Sequence, residues 1–149
     1  MDYRKPYRQL PDLQQRLSAL RETIVFLRDS ILPPDVKRPL LGHALWQITR
    51  AHGDLYGEFR SHGFLNQKSD TKVQREHVFR RELLIEAILR DEEPLGTVLD
   101  RVIHCSVSKD EHKRLHDIHD KRLDGWARYV AAEIEVYSCR DEVPERVWL

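Results

Sequence analysis

Two histidines placed four residues apart, His112 and His116, are the side chains whose type and spacing most clearly suggest chemistry. Ser108 is followed three positions later by Glu111, a capping box that predicts the start of a helix just before the histidines. Residues four apart lie on one face of a helix, so both imidazole rings are expected to point the same way. Two imidazoles so placed are able to bind one metal ion, although histidines in the core or in solvent often show the same spacing.

An acid–histidine pair, Glu76-His77, lies upstream of these histidines, and we expect it to open a helix of its own. Residues 102–107 are rich in β-branched side chains and are typical of a short strand leading into the histidine helix. Between residues 77 and 119 the chain holds five of its eight histidines. The chemistry of this chain is therefore expected to lie in this region.

The order of these segments resembles the ββα-metal active site of HNH endonucleases. The motif runs from Glu76-His77 through the expected strand to Ser-Lys-Asp-Glu-His112-x3-His116, and it is most similar to the two-histidine form of colicin-type DNases. The resemblance implies that Glu76, His112 and His116 bind one divalent metal ion, which would be Zn, Mg, Mn or Ni. It also implies that His77 is the catalytic general base that deprotonates the attacking water, a role that suits an unperturbed pKa of about 6.5.

The activity implied by the resemblance is metal-dependent hydrolysis of phosphodiester bonds in nucleic acid, with DNA as the expected partner. The match covers about residues 74–120. The middle position of the family motif, often Asn, would correspond most nearly to His104. Basic side chains that could contact phosphates flank both halves of the motif: Arg75, Arg80, Arg81, Lys109 and Lys113.

Composition limits the classes of protein that this chain could be. Its 149 residues, 40% hydrophobic and 34% charged, are typical of a single globular domain spanning residues 1–149. Twenty-five basic and 25 acidic side chains give a formal net charge of zero, so any phosphate-binding surface must be local. The two cysteines favour a reducing, cytoplasmic location, and we expect neither a signal peptide nor a membrane-spanning segment.

The arrangement of apolar residues predicts a mainly α protein with a small β component, of the α+β class. Apolar stripes over residues 12–60 predict a helical hairpin arm, which serves either core packing or formation of a homodimer. An HNH-like region is expected over residues 72–137, with a ββα-metal-like finger and then a C-terminal helix. The alternative function is a non-catalytic helical binding or dimerisation module whose histidines are structural or bind zinc.

Overall fold

A computed structural model of the chain describes residues 5–51, 57–67, 72–120 and 122–147. In those ranges the helices are α1 (Leu13–Asp29), α2 (Pro34–Ala51), α3 (His62–Leu65), α4 (Arg81–Arg90), α5 (Leu95–Leu99), α6 (Lys109–His116) and α7 (Trp126–Ala131). The strands are β1 (Phe59–Ser61), β2 (Gln74–His77), β3 (His104–Val107), β4 (Val136–Ser138) and β5 (Glu145–Val147). Helix dominates and one five-stranded sheet is present, so the predicted α+β class is confirmed.

The chain divides into two compact units. The single domain that its length predicted stays a prediction. The first unit contains Met1–Arg8, Asp54–Val78 and His104–Leu149, and the second contains Gln9–Gly53 and Phe79–Ile103. Neither the predicted arm over residues 12–60 nor the predicted HNH-like region over residues 72–137 coincides with a unit. The reason is that each unit is assembled from segments distant in sequence.

The second unit is helical and contains the predicted hairpin. Helices α1 and α2 pack against each other and bury apolar side chains spaced three and four residues apart, which form the core with α4 and α5. Helix α1 stops before Pro33-Pro34, because proline cannot continue the helical hydrogen bonds, and Pro34 begins α2. The hairpin arm was predicted to extend to residue 60, but α2 ends at Ala51 and Phe59 lies in β1. The intervening positions His52 and Leu55 lie outside the described residues.

The first unit is built on the sheet, whose strand order is β2-β3-β1-β4-β5. Strand β1 runs parallel to β3, and the other neighbouring pairs are antiparallel. Strands β2 and β3 form an antiparallel ladder that α6 follows directly in sequence and packs against at β2. The order of these three elements is therefore strand, strand, helix, and α4 and α5 occupy the sequence between the two strands.

The prediction that Glu76-His77 opens a helix is wrong. Both residues belong to β2, and the next helix begins at Arg81. The reason is long-range pairing: all four residues of β3 are buried, and their backbone groups find partners in β2 although β2 itself has no apolar alternation. Within the described ranges, no helix combines the length and the apolar character needed to cross a bilayer.

Candidate metal centre

Helix α6 begins with the predicted capping box. The Ser108 hydroxyl accepts a hydrogen bond from the Glu111 amide at 3.3 Å, and Oε2 of Glu111 accepts one from the Ser108 amide at 2.9 Å. Because the first turn is fixed in this way, the direction of the next turn is fixed as well. The rings of His112 and His116 lie with their centroids 4.4 Å apart on one face of the helix, which confirms the predicted placement.

The carboxylate of Glu76 reaches across from β2 to both of these histidines. Its Oε2 atom lies 3.0 Å from Nδ1 of His112 and 3.8 Å from Nε2 of His116. One ligand atom from each of the three residues lies within 4.8 Å of the other two. Two ligands at typical zinc distances in a tetrahedral site lie roughly 3.3 Å apart, and the separations of 3.0 and 3.8 Å lie on either side of that value. We call these three residues the metal group.

The atoms of the metal group are close without satisfying one another. Nδ1 of His112 is buried and makes no hydrogen bond within the described part of the chain, although a Glu76 oxygen lies 3.0 Å away. A buried imidazole nitrogen without a hydrogen bond costs free energy unless something else satisfies it. A cation between the two atoms would use the lone pairs of both, so the donor set fits a metal ion.

The metal group is open to solvent on one side. The exposed fraction of the side chain rises from 13% for Glu76 to 32% for His112 and 63% for His116. Structural zinc sites are closed by four protein ligands, whereas catalytic sites have three and leave a position free. Three ligands with one exposed edge therefore match the catalytic kind of site.

Arg128, from α7, holds the other oxygen of the Glu76 carboxylate, and the sequence alone did not suggest this. Its Nη2 atom lies 3.1 Å from Oε1 of Glu76, and its Nη1 atom donates to the carbonyl oxygen of His77 at 3.3 Å. The Arg128 side chain is only 7% exposed. The partners are 52 positions apart in the chain, so no local pattern could have revealed the pair.

Glu111 does more than cap α6. Its carboxylate also accepts a hydrogen bond from the hydroxyl of Ser61 and one from the amide of Gly63 at 2.9 Å, so it joins the start of α3 to the start of α6. A Cβ atom on Gly63 would lie 2.6 Å from this carboxylate, which explains glycine at that position. The capping box predicted the local contact with Ser108 but not the contacts with residues about 50 positions away.

His77 and His104 are not part of the metal group. Successive residues of a strand point to opposite faces, so the backbone directs His77 away from the face that carries Glu76. His104 pairs with His77 across the ladder and shares its face. The His104 ring is buried and packs closely against Gly57. A Cβ atom at position 57 would lie only 2.3 Å from Nε2 of His104. A role for His104 as the middle residue of a nuclease motif therefore finds no support in its position.

The predicted phosphate-binding residues are divided between the two units. Lys109 and Lys113 are exposed and lie on α6 beside the metal-group histidines. Arg75 is half-buried in β2 and is directed to the same face as His77. Arg80 and Arg81 belong to the second unit, where Arg80 precedes α4 and Arg81 begins it.

Cys105 and Tyr129 are buried residues of the first unit that do not belong to the metal group. Cys105 pairs with Glu76 in the ladder and is fully buried, and burial raises the pKa of its thiol well above the usual range. Burial likewise raises the pKa of the Tyr129 hydroxyl well above its usual value. Cys105 is not among the three residues whose ligand atoms converge, and we interpret it as a small buried apolar residue.

No family model, no curated protein and no solved structure matches this chain. The kind of ion that the site could bind is therefore inferred from the chemistry of its own ligand atoms. Two imidazoles and one carboxylate, held on a strand–strand–helix unit with one open edge, suit a divalent transition metal such as zinc.

Proposed function

We propose that this protein is a metal-dependent nuclease that hydrolyses phosphodiester bonds, with Glu76, His112 and His116 as its metal ligands. The observation that carries the proposal is the convergence of these three residues from β2 and α6. The order of elements supports it, because an antiparallel strand pair followed by a helix is the arrangement that the HNH resemblance implies.

The charge around the metal group suits a phosphodiester. Lys109 lies three residues before His112, and Lys113 lies three before His116, so all four share one side of α6. Both lysines are exposed beside the open edge of the site. Their ammonium groups can hold the phosphate backbone on either side of the reacting bond, without reading base sequence.

A divalent cation at this site would supply Lewis-acid stabilisation of the negative charge that develops on the phosphate during hydrolysis. Three residues of the chain would hold it: Glu76 would give one oxygen, because Arg128 holds the other, and the two histidines would give one nitrogen each. The exposed side of His116 leaves room for the substrate.

The general-base role predicted for His77 stays a prediction, and the direction of its backbone opposes it. A base must lie within hydrogen-bond reach of the water that it deprotonates. Both ring nitrogens of His77 are buried, and the strand directs the ring to the face opposite Glu76. The proposal therefore rests on the metal ligands and not on His77.

A plasmid-nicking assay with Mg²⁺, Mn²⁺, Ni²⁺ or Zn²⁺ tests the proposed activity. We expect wild-type protein to nick DNA with at least one of these ions, and Glu76→Gln and His112→Ala to lose that activity. His119→Ala is the matched control, because His119 is exposed and lies outside the metal group. Absence of nicking with every ion, or nicking that survives both ligand substitutions, would contradict the proposal.

The variant His77→Ala tests whether His77 acts as a catalytic base or only stabilises the structure. If His77 acts only through the structure, the variant keeps its metal affinity and its nicking rate falls no further than its stability accounts for. A catalytic base would show the opposite result: an unchanged melting temperature and metal affinity, with nicking reduced by roughly 10²–10⁴-fold.

A second function, a dimerisation module, is favoured by apolar side chains exposed where α1 ends. Phe26 is 71% exposed and Ile31 is fully exposed, and both belong to the second unit. Large exposed apolar groups often mark interfaces, and a second copy of the chain is the partner that was considered from the sequence. Light scattering after gel filtration would show a dimer for wild type and a monomer for Phe26→Glu. A monomeric wild type would exclude this function.

A further inference from the structure

We infer that Arg128 is the positioning residue of the metal group: its guanidinium holds Oε1 of Glu76 so that only Oε2 faces the two histidines. This inference rests on the proposed metal site, and it assigns a role to a residue outside that site. Arg128 would contact neither metal nor substrate and would act through Glu76.

The hydrogen bonds of Arg128 fix the end of β2 at two points. One guanidinium nitrogen lies 3.1 Å from the Glu76 carboxylate, and the other donates to the His77 carbonyl at 3.3 Å. A single planar group thus joins the side chain of one residue to the backbone of the next. The planar fork is what allows this, and a lysine ammonium has no such fixed geometry.

The helix that carries Arg128, α7, packs against the sheet of the first unit through Trp126. The Trp126 ring packs edge-on against Phe59 of β1 and against Tyr129, each with ring centroids 5.2 Å apart. Gly125 precedes α7 with φ of 61° and ψ of −144°, a conformation essentially restricted to glycine. The helix that carries Arg128 is therefore anchored to the same sheet as Glu76.

Burial gives the pair a consequence for metal binding. The side chains of Arg128 and Glu76 are only 7% and 13% exposed, so water competes little for their hydrogen bonds. With Oε1 occupied, the carboxylate can offer the ion one oxygen rather than two. Hydrogen-bonded partners of this kind typically change metal affinity by about 10–100-fold when removed.

Arg128 is expected to affect metal affinity in two opposite ways, and this makes the inference testable. Orientation of the carboxylate strengthens metal binding, whereas a positive charge beside a ligand weakens it by repulsion. If orientation dominates, removing the guanidinium weakens binding. If charge dominates, removing it tightens binding.

Co²⁺ titration of the full chain, by absorbance and by competition with a chromophoric chelator, provides the test. We expect Arg128→Met to bind Co²⁺ roughly 10–100-fold more weakly than wild type, with a changed visible spectrum. Arg114→Met is the matched control: Arg114 donates to the carbonyl oxygens of Ala132 and Glu133 at the end of α7 and does not contact the metal group. It should lower the melting temperature but leave Co²⁺ affinity unchanged.

If Arg128→Met does not fold, Arg128→Lys provides the test instead, because lysine keeps the positive charge but lacks the planar guanidinium that bonds two partners at once. Weaker Co²⁺ binding by the lysine variant supports the inference, and affinity equal to wild type overturns it. Tighter or unchanged binding by a folded Arg128→Met also overturns it. Glu76→Gln separates the two proposals. If this variant binds Co²⁺ as wild type does, the proposed metal site itself is wrong. If Glu76→Gln loses binding while both Arg128 variants bind as wild type does, only the role of Arg128 is contradicted.

Discussion

Gly57 shows how one residue determines where a candidate site residue lies. Its φ is +72°, and a Cβ atom there would lie 2.3 Å from Nε2 of His104. We expect Gly57→Ala to lower the free energy of unfolding by about 1–3 kcal/mol, from the backbone conformation and the displaced ring together. Chemical denaturation measures this change.

Gly96→Ala is the control for that measurement. Gly96 lies in α5, and a Cβ atom there would contact nothing within 4 Å. Alanine in a helix is expected to raise the free energy of unfolding by roughly 0.4–1 kcal/mol. Equal effects of the two substitutions would contradict both the positive φ of Gly57 and the packing of the His104 ring against it.

The two cysteines provide a test of burial at the same scale. Within the described residues, Cys105 and Cys139 form no disulfide and both are fully buried, and burial raises the pKa of the Cys105 thiol. Only a thiolate reacts readily with a disulfide reagent, so neither cysteine should react in the native protein near neutral pH. In guanidinium chloride both should react. Rapid modification of the native chain would contradict the structure around β3.

At the scale of the elements, the Glu111 carboxylate holds two helix starts together. It accepts hydrogen bonds from Ser108, Ser61 and Gly63, and an amide at that position would place an NH₂ group against donors. We expect Glu111→Gln to lower the free energy of unfolding by about 1–3 kcal/mol. Ser108→Ala, which removes one side-chain cap, should cost about 1 kcal/mol.

Denaturation curves for these two variants check the order of their effects. A larger loss in Ser108→Ala than in Glu111→Gln would mean that the carboxylate acts only as a local cap. The comparison bears on the site, because the start of α6 determines where His112 and His116 point.

Local sequence predicted those parts of the site that depend on neighbours in the chain. The capping box and the spacing of His112 and His116 each involve residues within a few positions, and both predictions are confirmed. Strand β2 was missed because its residues are polar, and only pairing with buried β3 makes it a strand. Arg128 was missed because its contact with Glu76 depends on how α7 packs against the sheet.

At the scale of the whole molecule, balanced charge would make the proposed nucleic-acid binding depend on a few residues. Twenty-five basic and 25 acidic side chains leave no net charge to attract DNA non-specifically. Several arginines are already paired with carboxylates, for example Arg16 with Asp12 and Arg140 with Glu58. Lys109 and Lys113, exposed on α6 beside the metal group, are the cations that the proposed function requires.

The salt dependence of DNA binding measures the contribution of these two lysines. Each phosphate contact on B-DNA contributes about 0.9 to the slope of log affinity against log salt concentration, because binding releases counterions. Replacing Lys109 and Lys113 by Gln should therefore reduce that slope by about 1.8. Fluorescence anisotropy with labelled duplex, in EDTA to prevent cleavage, gives the slope.

The double variant Arg16→Gln/Arg140→Gln is the control. It removes the same number of positive charges from paired positions and should leave the slope unchanged. Equal slopes for wild type and the lysine variant would mean that DNA does not approach the metal group along this side of α6.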